Sequence, residues 1–560
     1  GSDVAVDANN AECYGGLDMA KFTSSLWTKD DSGIYFNGDM IISADALPVD
    51  LAGEYELSKT AADGMLSVEL TDAGAIKGNF VAVKDVYGNE ISAEYADGVL
   101  TFDAEGLANA ADGETVLTIV TKDNGVNRFY KLNVTIWTAM ISDADDLFAF
   151  QEQLNAATTE QNALTGWYRL TADIDLTDSD HVFGDFSGDP NKREGTRYFA
   201  GLFDGNGFSV TGAKLGNKGM FNWVTASGVI RNVAIVDAYA YGWNAEGTQT
   251  EQNVSHGSNI LAEGFYGTLE NVYLSGSIGT THWSYSGLVW QMRAAAIKNC
   301  VFNISLRAQA TGTYDSALGA WIAGAIKSVE NLVVITSSDR VCCPDGGNYT
   351  ATVPSDGAAV YTTNNACLEA IDISKFDASI WSKTEAGILF GGKLVVAQAE
   401  EVNMSGSYEL SRAEADGKLS FTLTGSDAVT GEVLSVTDAC GTKIAFGYKD
   451  GTFAFTADAL RDVLDGNNEF AVIAKDGDTV RRYNVNVTVW TNIISDAGEL
   501  KAFDQAFVAL GKGKLSSLWY KMDADVDMSG EDYVFGNIET TNTNNASQVR
   551  FAGVFDGQGH

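Results

Sequence analysis

Short segments of this chain alternate strictly between apolar and polar residues, a pattern typical of β-strands with one buried and one solvent-facing side. Leu132, Val134 and Ile136 alternate in this way with Asn133 and Thr135. Turn sequences that contain glycine, such as AADG, VYGNE and YADG, separate the neighbouring segments. The first part of the chain is therefore predicted to be a β-sandwich of short strands.

A different pattern follows in the segments GVIRNVAIVD, GTLENVYLSG, AAIKNCVFNI and KSVENLVVIT. Each has a small residue, an apolar pair, an asparagine and then alternating apolar residues. The four asparagines, Asn232, Asn271, Asn299 and Asn331, are 28 to 39 residues apart. This period predicts the coils of a parallel β-solenoid, in which no coil buries its face alone. Asparagines aligned in successive coils would form a ladder of amide hydrogen bonds.

A helix signal lies between these two patterns. Asp143 is a suitable N-cap, and Leu147, Phe150 and Leu154 fall on one helical face. We predict a helix over residues 143–154. It would cover the unpaired edge of the first coil, which would otherwise invite aggregation.

Comparison of the chain with itself shows that both patterns form one repeated unit. Leu17–Gly38 matches Ile371–Gly392, and Tyr130–Phe150 matches Tyr483–Phe503, each at an offset of about 353 residues. The second copy stops at FAGVFDGQGH, an early coil. We therefore expect the chain to be a window of about one and a half units from a longer array.

The predicted fold class is all-β, with tandem units of an immunoglobulin-like β-sandwich and a parallel β-solenoid (β-helix) that begins with a short capping helix. The predicted segments are the tail of a preceding unit (1–16), sandwich 1 (17–138), β-helix 1 (139–355), a linker (356–370), sandwich 2 (371–491) and the start of β-helix 2 (492–560).

The first β-helix region also carries family-like sequences. YRLTADIDL is followed by FAGLFDGNGFSVTG (Phe199–Gly212) and by glycine-rich coils that contain RNV or ENV. Over Ile141–Val353 and Ile494–His560 the chain resembles the GLUG-motif regions of bacterial surface proteins. That resemblance implies right-handed parallel β-helices among immunoglobulin-like modules in long adhesin-like chains. It also implies export and display at the cell surface, and it supplies no catalytic site.

The net charge of −39 changes the picture of possible partners. A field of that sign repels phosphate, which argues against nucleic acid and anionic membrane surfaces. No run of 18 apolar residues occurs, so the sequence predicts no membrane-embedded segment. The remaining partners we expect are further copies of the same unit or neighbouring chains in a fibre, and glycans.

Acidic residues cluster at one place in each unit. Asp173 and Asp175 in the first copy correspond to Asp525 and Asp527 in the second. Carboxylate oxygens of this density are compatible with Ca²⁺. The alternation of these residues with apolar ones also fits the solvent-facing side of a strand or turn. The sequence thus predicts no cofactor, with Ca²⁺ as an alternative.

Aromatic residues cluster in two predicted loops of the first β-helix, namely Tyr239, Tyr241, Trp243, Trp283 and Tyr285. Aromatic rings stack on the flat faces of sugars, so these residues are candidates for a glycan-binding surface. Loop packing within the coils is the alternative role.

Four of the five candidate cysteines lie near predicted segment boundaries, and Cys300 lies inside β-helix 1. We expect one of Cys342 and Cys343 to bond Cys367 and so join β-helix 1 to sandwich 2. The other would bond Cys300 or its own neighbour, and Cys13 would bond a preceding unit. Buried thiols are the alternative, and no metal-binding spacing occurs.

These observations predict a non-catalytic structural repeat of an extracellular bacterial fibre, stalk or filament at the cell surface. The acidic residues of Gly228–Val334 are scattered, whereas a glycosidase needs two facing carboxylates. A glycan-binding adhesin that uses the aromatic loops is one alternative function. A polysaccharide lyase or hydrolase is the second.

Overall fold

Strands dominate the computed structural model of this chain and helices are few, which confirms the predicted all-β class. No helix among the described residues has the length and apolar character that a membrane crossing requires. The structure describes residues 13–14, 16–30, 33–43, 48–123, 126–184, 195–216, 218–241, 259–280, 287–308, 316–322, 326–343, 353, 356–424, 429–438, 443–461, 463, 465–477, 479–509, 515–516, 518–535, 550–551 and 553–560.

The first part of the chain forms a three-stranded antiparallel sheet, here called the first meander, and then a two-sheet domain. The meander consists of β1 (Trp27–Asp30), β2 (Gly33–Phe36) and β3 (Asp39–Ser43). The first two-sheet domain consists of β4 (Val49–Ser58), β5 (Ser67–Glu69), β6 (Asn79–Lys84), β7 (Glu90–Ile91), β8 (Ala93–Ala96), β9 (Val99–Phe102), α1 (Ala104–Ala108), β10 (Gly113–Asp123) and β11 (Val126–Trp137).

One apolar core joins the two sheets of this domain. The larger sheet has the order β4-β11-β10-β6-β7, with β4 parallel to β11, and the smaller sheet has the order β5-β9-β8. Leu132, Val134 and Ile136 are buried in that core, whereas Asn133 is exposed. The alternation read from the sequence therefore marks the buried side of β11.

The next part forms two parallel sheets, together called the first stack. It consists of β12 (Ala139–Ile141), α2 (Ala144–Ala156), β13 (Trp167–Leu170), β14 (Ile174–Asp175), β15 (Val182–Phe183), β16 (Tyr198–Phe199), β17 (Leu202–Asp204), β18 (Ser209–Thr211), β19 (Lys214–Leu215), β20 (Trp223–Val224), β21 (Val229–Tyr241), β22 (Asn259–Phe265), β23 (Thr268–Thr280), β24 (Gly287–Met292), β25 (Ala296–Ala308), β26 (Gly319–Ile322), β27 (Ser328–Ile335) and β28 (Ala358–Tyr361).

Strands that are far apart in sequence pair in parallel throughout the first stack. One sheet runs β12-β13-β17-β21-β23-β25-β27-β28, and the other runs β16-β20-β22-β24-β26. Apolar residues from both sheets, such as Ile230, Leu269 and Phe265, belong to one shared core. Their neighbours Ala234 and Tyr273 face the opposite side of the first sheet and belong to a different cluster.

Helix α2 lies against the first strands of the stack, as its sequence predicts. The Asp143 side chain accepts a hydrogen bond from the backbone of Asp146 at 3.1 Å, so it is the N-cap. Leu147, Phe150 and Leu154 are buried in the stack core. The helix ends at Ala156, two residues beyond the predicted end.

The predicted linker at 356–370 contains a strand and a helix. Its first part is β28, which pairs with β27 as a further parallel strand, and its second part is α3 (Asn364–Ala370). Cys367 and Leu368 of this helix are buried. The alternating run that forms β28 is only four residues long, which explains why the sequence did not distinguish it from a linker.

The predicted second sandwich (371–491) also differs from expectation, because its first three strands pack on the first stack. These strands form the second meander, β29 (Trp381–Thr384), β30 (Gly387–Phe390) and β31 (Lys393–Ala397). The second two-sheet domain has its own core and consists of β32 (Glu400–Ser411), β33 (Ser420–Thr422), β34 (Glu432–Thr437), β35 (Gly447–Lys449), β36 (Thr452–Ala454), α4 (Ala457–Leu460), β37 (Gly466–Asp476) and β38 (Thr479–Trp490).

The last part repeats the beginning of the first stack and is called the second stack. It consists of β39 (Asn492–Ile494), α5 (Ala497–Ala509), β40 (Leu515–Ser516), β41 (Trp519–Met522), β42 (Arg550–Phe551) and β43 (Val554–Asp556). Strands β39, β41 and β43 pair in parallel, as β12, β13 and β17 do.

Candidate functional site at the junctions of the chain

The junction between each two-sheet domain and the following stack is built around two tryptophans. In the first copy, Trp137 ends β11 and Trp167 begins β13, and their ring centres are 5.8 Å apart. The guanidinium of Arg169 lies 5.2 Å from the Trp137 ring centre and forms an ion pair with Glu56. Trp137 Nε1 also donates to Glu56 Oε1 at 3.4 Å. An aromatic pair and an ion pair thus connect the two segments.

The second copy has the same junction, with a lysine in place of the arginine. Trp490 and Trp519 are 5.6 Å apart, and the ammonium of Lys521 lies 5.8 Å from the Trp490 ring centre. Lys521 Nζ donates to both Glu409 oxygens, at 2.8 and 2.9 Å. Burial opposes ionisation of Glu409, but the hydrogen bonds from Lys521 and Trp490 outweigh it and lower its pKa. The arrangement is therefore retained although the cation differs.

A glycine is required at each of these junctions. Gly113 and Gly466 both have a φ of +105°, which an L side chain rarely adopts. A Cβ at either position would lie 2.9 Å from the ring of Trp167 or Trp519. The tryptophan therefore packs directly on the glycine backbone.

The junction between the first stack and the second meander contains the asparagine ladder. Asn271 Nδ2 donates to Asn232 Oδ1 at 3.0 Å, and Asn299 Nδ2 donates to Asn271 Oδ1 at 3.2 Å. Asn331 Nδ2 donates to Asn299 Oδ1 at 2.9 Å, while Asn232 Nδ2 donates to Asp204 Oδ1 at 3.1 Å. The predicted ladder is confirmed. Its four asparagines all have φ between +52° and +54°, a conformation that asparagine tolerates well.

The second meander and the residues just before it contact both the ladder and the outer face of β23. Asp377 Oδ2 accepts from Asn271 Nδ2 at 3.3 Å, and the carbonyl of Lys375 accepts from Asn331 Nδ2 at 2.9 Å. The hydroxyl of Tyr273 donates to the carbonyl of Val395 at 2.7 Å. These bonds satisfy polar groups that the contact removes from water.

Apolar packing completes this junction. Trp381, Ile388, Phe390 and Val396 of the second meander are each at most 2% exposed. They share a core with outward-facing residues of four successive strands of the stack, namely Ala234, Tyr273, Val301, Val333 and Ile335. Burial of this many large side chains makes the hydrophobic effect the main stabilising term.

The predicted calcium ligands instead bond to protein groups. Asp173 Oδ1 accepts from the Ser209 backbone at 2.9 Å, and Asp175 accepts from the Thr177 backbone at 2.9 Å. In the second copy, Asp525 lies 3.2 Å from His560 Nδ1, and Asp527 accepts from the Ser529 backbone at 2.8 Å. Within the ranges that the structure describes, no group of three or more His, Cys, Asp or Glu side chains is placed to hold a metal ion.

Asp173 also forms an ion pair with Lys393 of the second meander. Burial opposes its ionisation, but hydrogen bonds from Lys393 and Ser209 outweigh burial, so the pKa of Asp173 lies below 3.8. The pair therefore stabilises the junction above pH 3.8 and is lost as the pH falls through the lowered value.

We expect Lys393→Met to lower the free energy of unfolding by at most about 1 kcal/mol at neutral pH. The effect is small because both partners of the ion pair are partly exposed. The difference from wild type should shrink as the pH falls below 3.8. Urea unfolding across this pH range measures it. Lys84→Met is the matched control, since its partner Glu90 is 3.9 Å away and more exposed. A Lys393 effect that grows in acid would contradict the assignment.

The aromatic candidates fall mostly beyond what the structure describes. Tyr239 lies in β21 with a half-buried side chain. Tyr241 ends the same strand, and its side chain is not among the described ones. Trp243, Trp283 and Tyr285 lie outside the described residues. The glycan surface accordingly stays a prediction.

The disulfides predicted within the chain are not formed, because Cys300, Cys342, Cys343 and Cys367 are not cross-linked. The predicted bond from Cys13 to a preceding unit involves a partner outside this chain and stays a prediction. Cys300 and Cys342 belong to the core inside the stack, whereas Cys367 belongs to the cluster under the second meander. The sheet therefore separates Cys342 from Cys367. Burial raises the pKa of both Cys300 and Cys367 to about 12, which keeps these thiols protonated.

No protein-family model, curated protein or solved structure matches this chain.

Sequence reasoning missed the junction tryptophans, although the signal was present. Trp137 recurs as Trp490, and Trp167 recurs as Trp519, inside stretches that match between the two copies. A large aromatic residue that recurs at a segment boundary is a candidate for packing across that boundary. The ion pair between Asp173 and Lys393 had no such signal, because Lys393 aligns with Asp39 in the first copy.

Proposed function

We propose that this chain is a non-catalytic structural module of an extracellular bacterial surface fibre or stalk. Its two-sheet domains are immunoglobulin-like sandwiches, and its stacks are right-handed parallel β-solenoids. The segments alternate in tandem, and each unit binds the next through an extensive contact surface. Further units of the same kind, or neighbouring chains in the fibre, are the partners.

One observation carries this proposal, the recurrence of the junction between a two-sheet domain and a stack. The tryptophan pair, the glycine beneath it and the carboxylate with its cation occur in both copies. A binding or catalytic site has no need of a repeated joint, whereas a fibre needs every joint to hold one geometry. Repeat proteins gain their stability from such interfaces between neighbours.

The charge of the chain supports the same function. A net charge of −39 favours solubility, because neighbouring molecules with the same charge repel each other. This suits a long protein with a large exposed surface. Acidic repulsion also discourages sideways association. At the junctions, oppositely charged groups such as Glu409 and Lys521 meet and attract neighbouring segments to each other.

Small-angle X-ray scattering of the full chain tests the shape that this function requires. A compact globule of 560 residues has a radius of gyration of about 24 Å. We expect a clearly larger value and the scattering profile of a rod, because the segments follow one another along the chain and each has its own core. A value near that of the globule would contradict the proposal.

Scattering of a junction variant tests whether the tryptophan pair holds the two segments in a fixed arrangement. Trp137→Ala should loosen the first junction and broaden the distribution of interatomic distances. Trp223→Ala is the matched control, because Trp223 stacks on Tyr266 within the stack at 5.4 Å and joins no segments. Equal profiles for the two variants would count against a rigid joint. Protease treatment of intact source cells, followed by detection of released fragments, tests the surface location.

A further inference from the structure

The two meanders of the chain have the same internal structure. In the first, the ring centres of Phe22 and Trp27 are 5.2 Å apart, and those of Trp27 and Phe36 are 5.0 Å apart. In the second, the corresponding distances around Trp381 are 5.5 Å to Phe376 and 5.0 Å to Phe390.

A lysine contact is also common to both meanders. Lys29 donates to the carbonyl of Tyr14, and Lys383 donates to the carbonyl of Leu368 at the corresponding place. The two sheets are therefore equivalent building blocks, and the difference between them lies in what covers them.

The first meander exposes the face that the second one buries. Phe36 is 41% exposed, whereas its counterpart Phe390 is 1% exposed. Ile41 is 47% exposed, whereas its counterpart Val395 packs against the cluster shared with the stack. Leu26, at 43%, extends this exposed apolar face. Exposed apolar faces often mark interaction sites, and the buried counterpart in the same chain shows which kind of surface such a face packs against.

We propose that the exposed face of the first meander docks on the outer side of a parallel stack that belongs to another repeat unit of this type. The contact would reproduce the one between the second meander and the first stack. It therefore rests on the proposed function and deepens it, because it names the surface that joins successive units. The partner surface is an apolar sheet face bordered by an asparagine ladder.

Two residues indicate that this partner differs from the first stack. A Cβ at Gly391 would lie 2.0 Å from the carbonyl oxygen of Gly207, and the first meander has Asn37 at this position. Lys393, which pairs with Asp173, is replaced in the first meander by Asp39. The partner stack should therefore have more room at the turn, and a neutral or basic residue where Asp173 stands.

A chimaeric full-length chain tests the proposal, with residues 17–43 transplanted in place of residues 371–397. The transplanted segment carries Asn37→Gly and Asp39→Lys, so that it matches the first stack. We expect its thermal midpoint to lie within a few degrees of that of the wild type, because its apolar face is the same kind of surface. The chimaera without the two substitutions should melt several degrees lower.

Phe36→Ser provides the decisive comparison. Inside the substituted chimaera it should lower the midpoint by several degrees, since the ring is buried there. In the native first meander it should change the midpoint by about one degree or less, since the ring is already exposed. If the substituted chimaera melts no higher with Phe36 than with serine, the face does not recognise a stack, and the proposal is overturned. Rod-like scattering of the wild type would still support the proposed function in that case.

Discussion

Replacing Phe150 with alanine should lower the free energy of unfolding of the first stack by about 3–5 kcal/mol. The Phe150 ring is 1% exposed and lies 4.8 Å from the ring of Tyr168, 5.3 Å from Phe203 and 5.9 Å from both Phe199 and Phe221. Its removal leaves a cavity at the point where α2 closes the core, and three of the four surrounding rings, those of Tyr168, Phe199 and Phe203, belong to hydrogen-bonded strands. Urea unfolding followed by tryptophan fluorescence measures the loss.

Two variants control for the chemistry of this change. Phe150→Leu retains most of the volume and should recover much of the stability. Phe503→Ala changes the equivalent residue of α5, which is only half-buried, and should cost less. If Phe503→Ala were as destabilising as Phe150→Ala, burial of the ring could not be the cause.

Replacing Asn299 with alanine should lower the free energy of unfolding of the first stack by about 2–4 kcal/mol. Asn299 is 3% exposed and holds the middle of the ladder, where it donates to Asn271 and accepts from Asn331. Loss of its amide leaves a buried acceptor and a donor without their partner, at about 1–3 kcal/mol. Alanine also pays for the left-handed backbone at φ +54°, which adds about 1 kcal/mol.

Asn299→Gly separates the two causes, because glycine adopts this backbone freely and lacks only the amide. We expect stability to fall in the order wild type, glycine, alanine. Asn331→Ala, at the end of the ladder and less buried, should cost less than Asn299→Ala. If the glycine and alanine variants are equally stable, the left-handed backbone of alanine does not contribute to the loss. If the glycine variant is as stable as the wild type, the hydrogen bonds of the ladder do not contribute.

The features that sequence alone could predict are those that depend on local pattern. The alternation around Val134 and the helical face around Phe150 each describe one element and its buried side. The asparagines could be aligned because each coil repeats the same local pattern around its asparagine, although the spacing varies from 28 to 39 residues. In all three cases the environment of a residue follows from its neighbours in the sequence.

The second meander could not be predicted in this way. The alternation of apolar and polar residues in β29–β31 shows that one face of this sheet is buried. It does not show whether that face packs on the preceding stack or on the next two-sheet domain. What decides between them is contact with residues far away in sequence, such as Lys393 with Asp173 and Tyr273 with Val395.

The prediction of a disulfide between β-helix 1 and sandwich 2 was wrong for the same kind of reason. One of Cys342 and Cys343, at the end of predicted β-helix 1, was expected to bond Cys367, just before predicted sandwich 2. In the structure Cys342 lies in the core inside the stack, and Cys367 lies in the cluster under the second meander. Their side chains face opposite sides of one sheet, and the sequence does not state which side each one faces.

The position of the second meander has a mechanical consequence for the first stack. Hydrogen bonds between β21, β23, β25 and β27 run along the stack, so a pull in that direction loads them in series, and the weakest pair would open first. The meander lies across all four strands, with Trp381 and Phe390 in one core with Ala234, Tyr273 and Val301. Because the meander is bound to all four strands at once, two neighbouring strands cannot separate without also breaking their contacts with the meander. The strands are therefore expected to separate together and at a higher force.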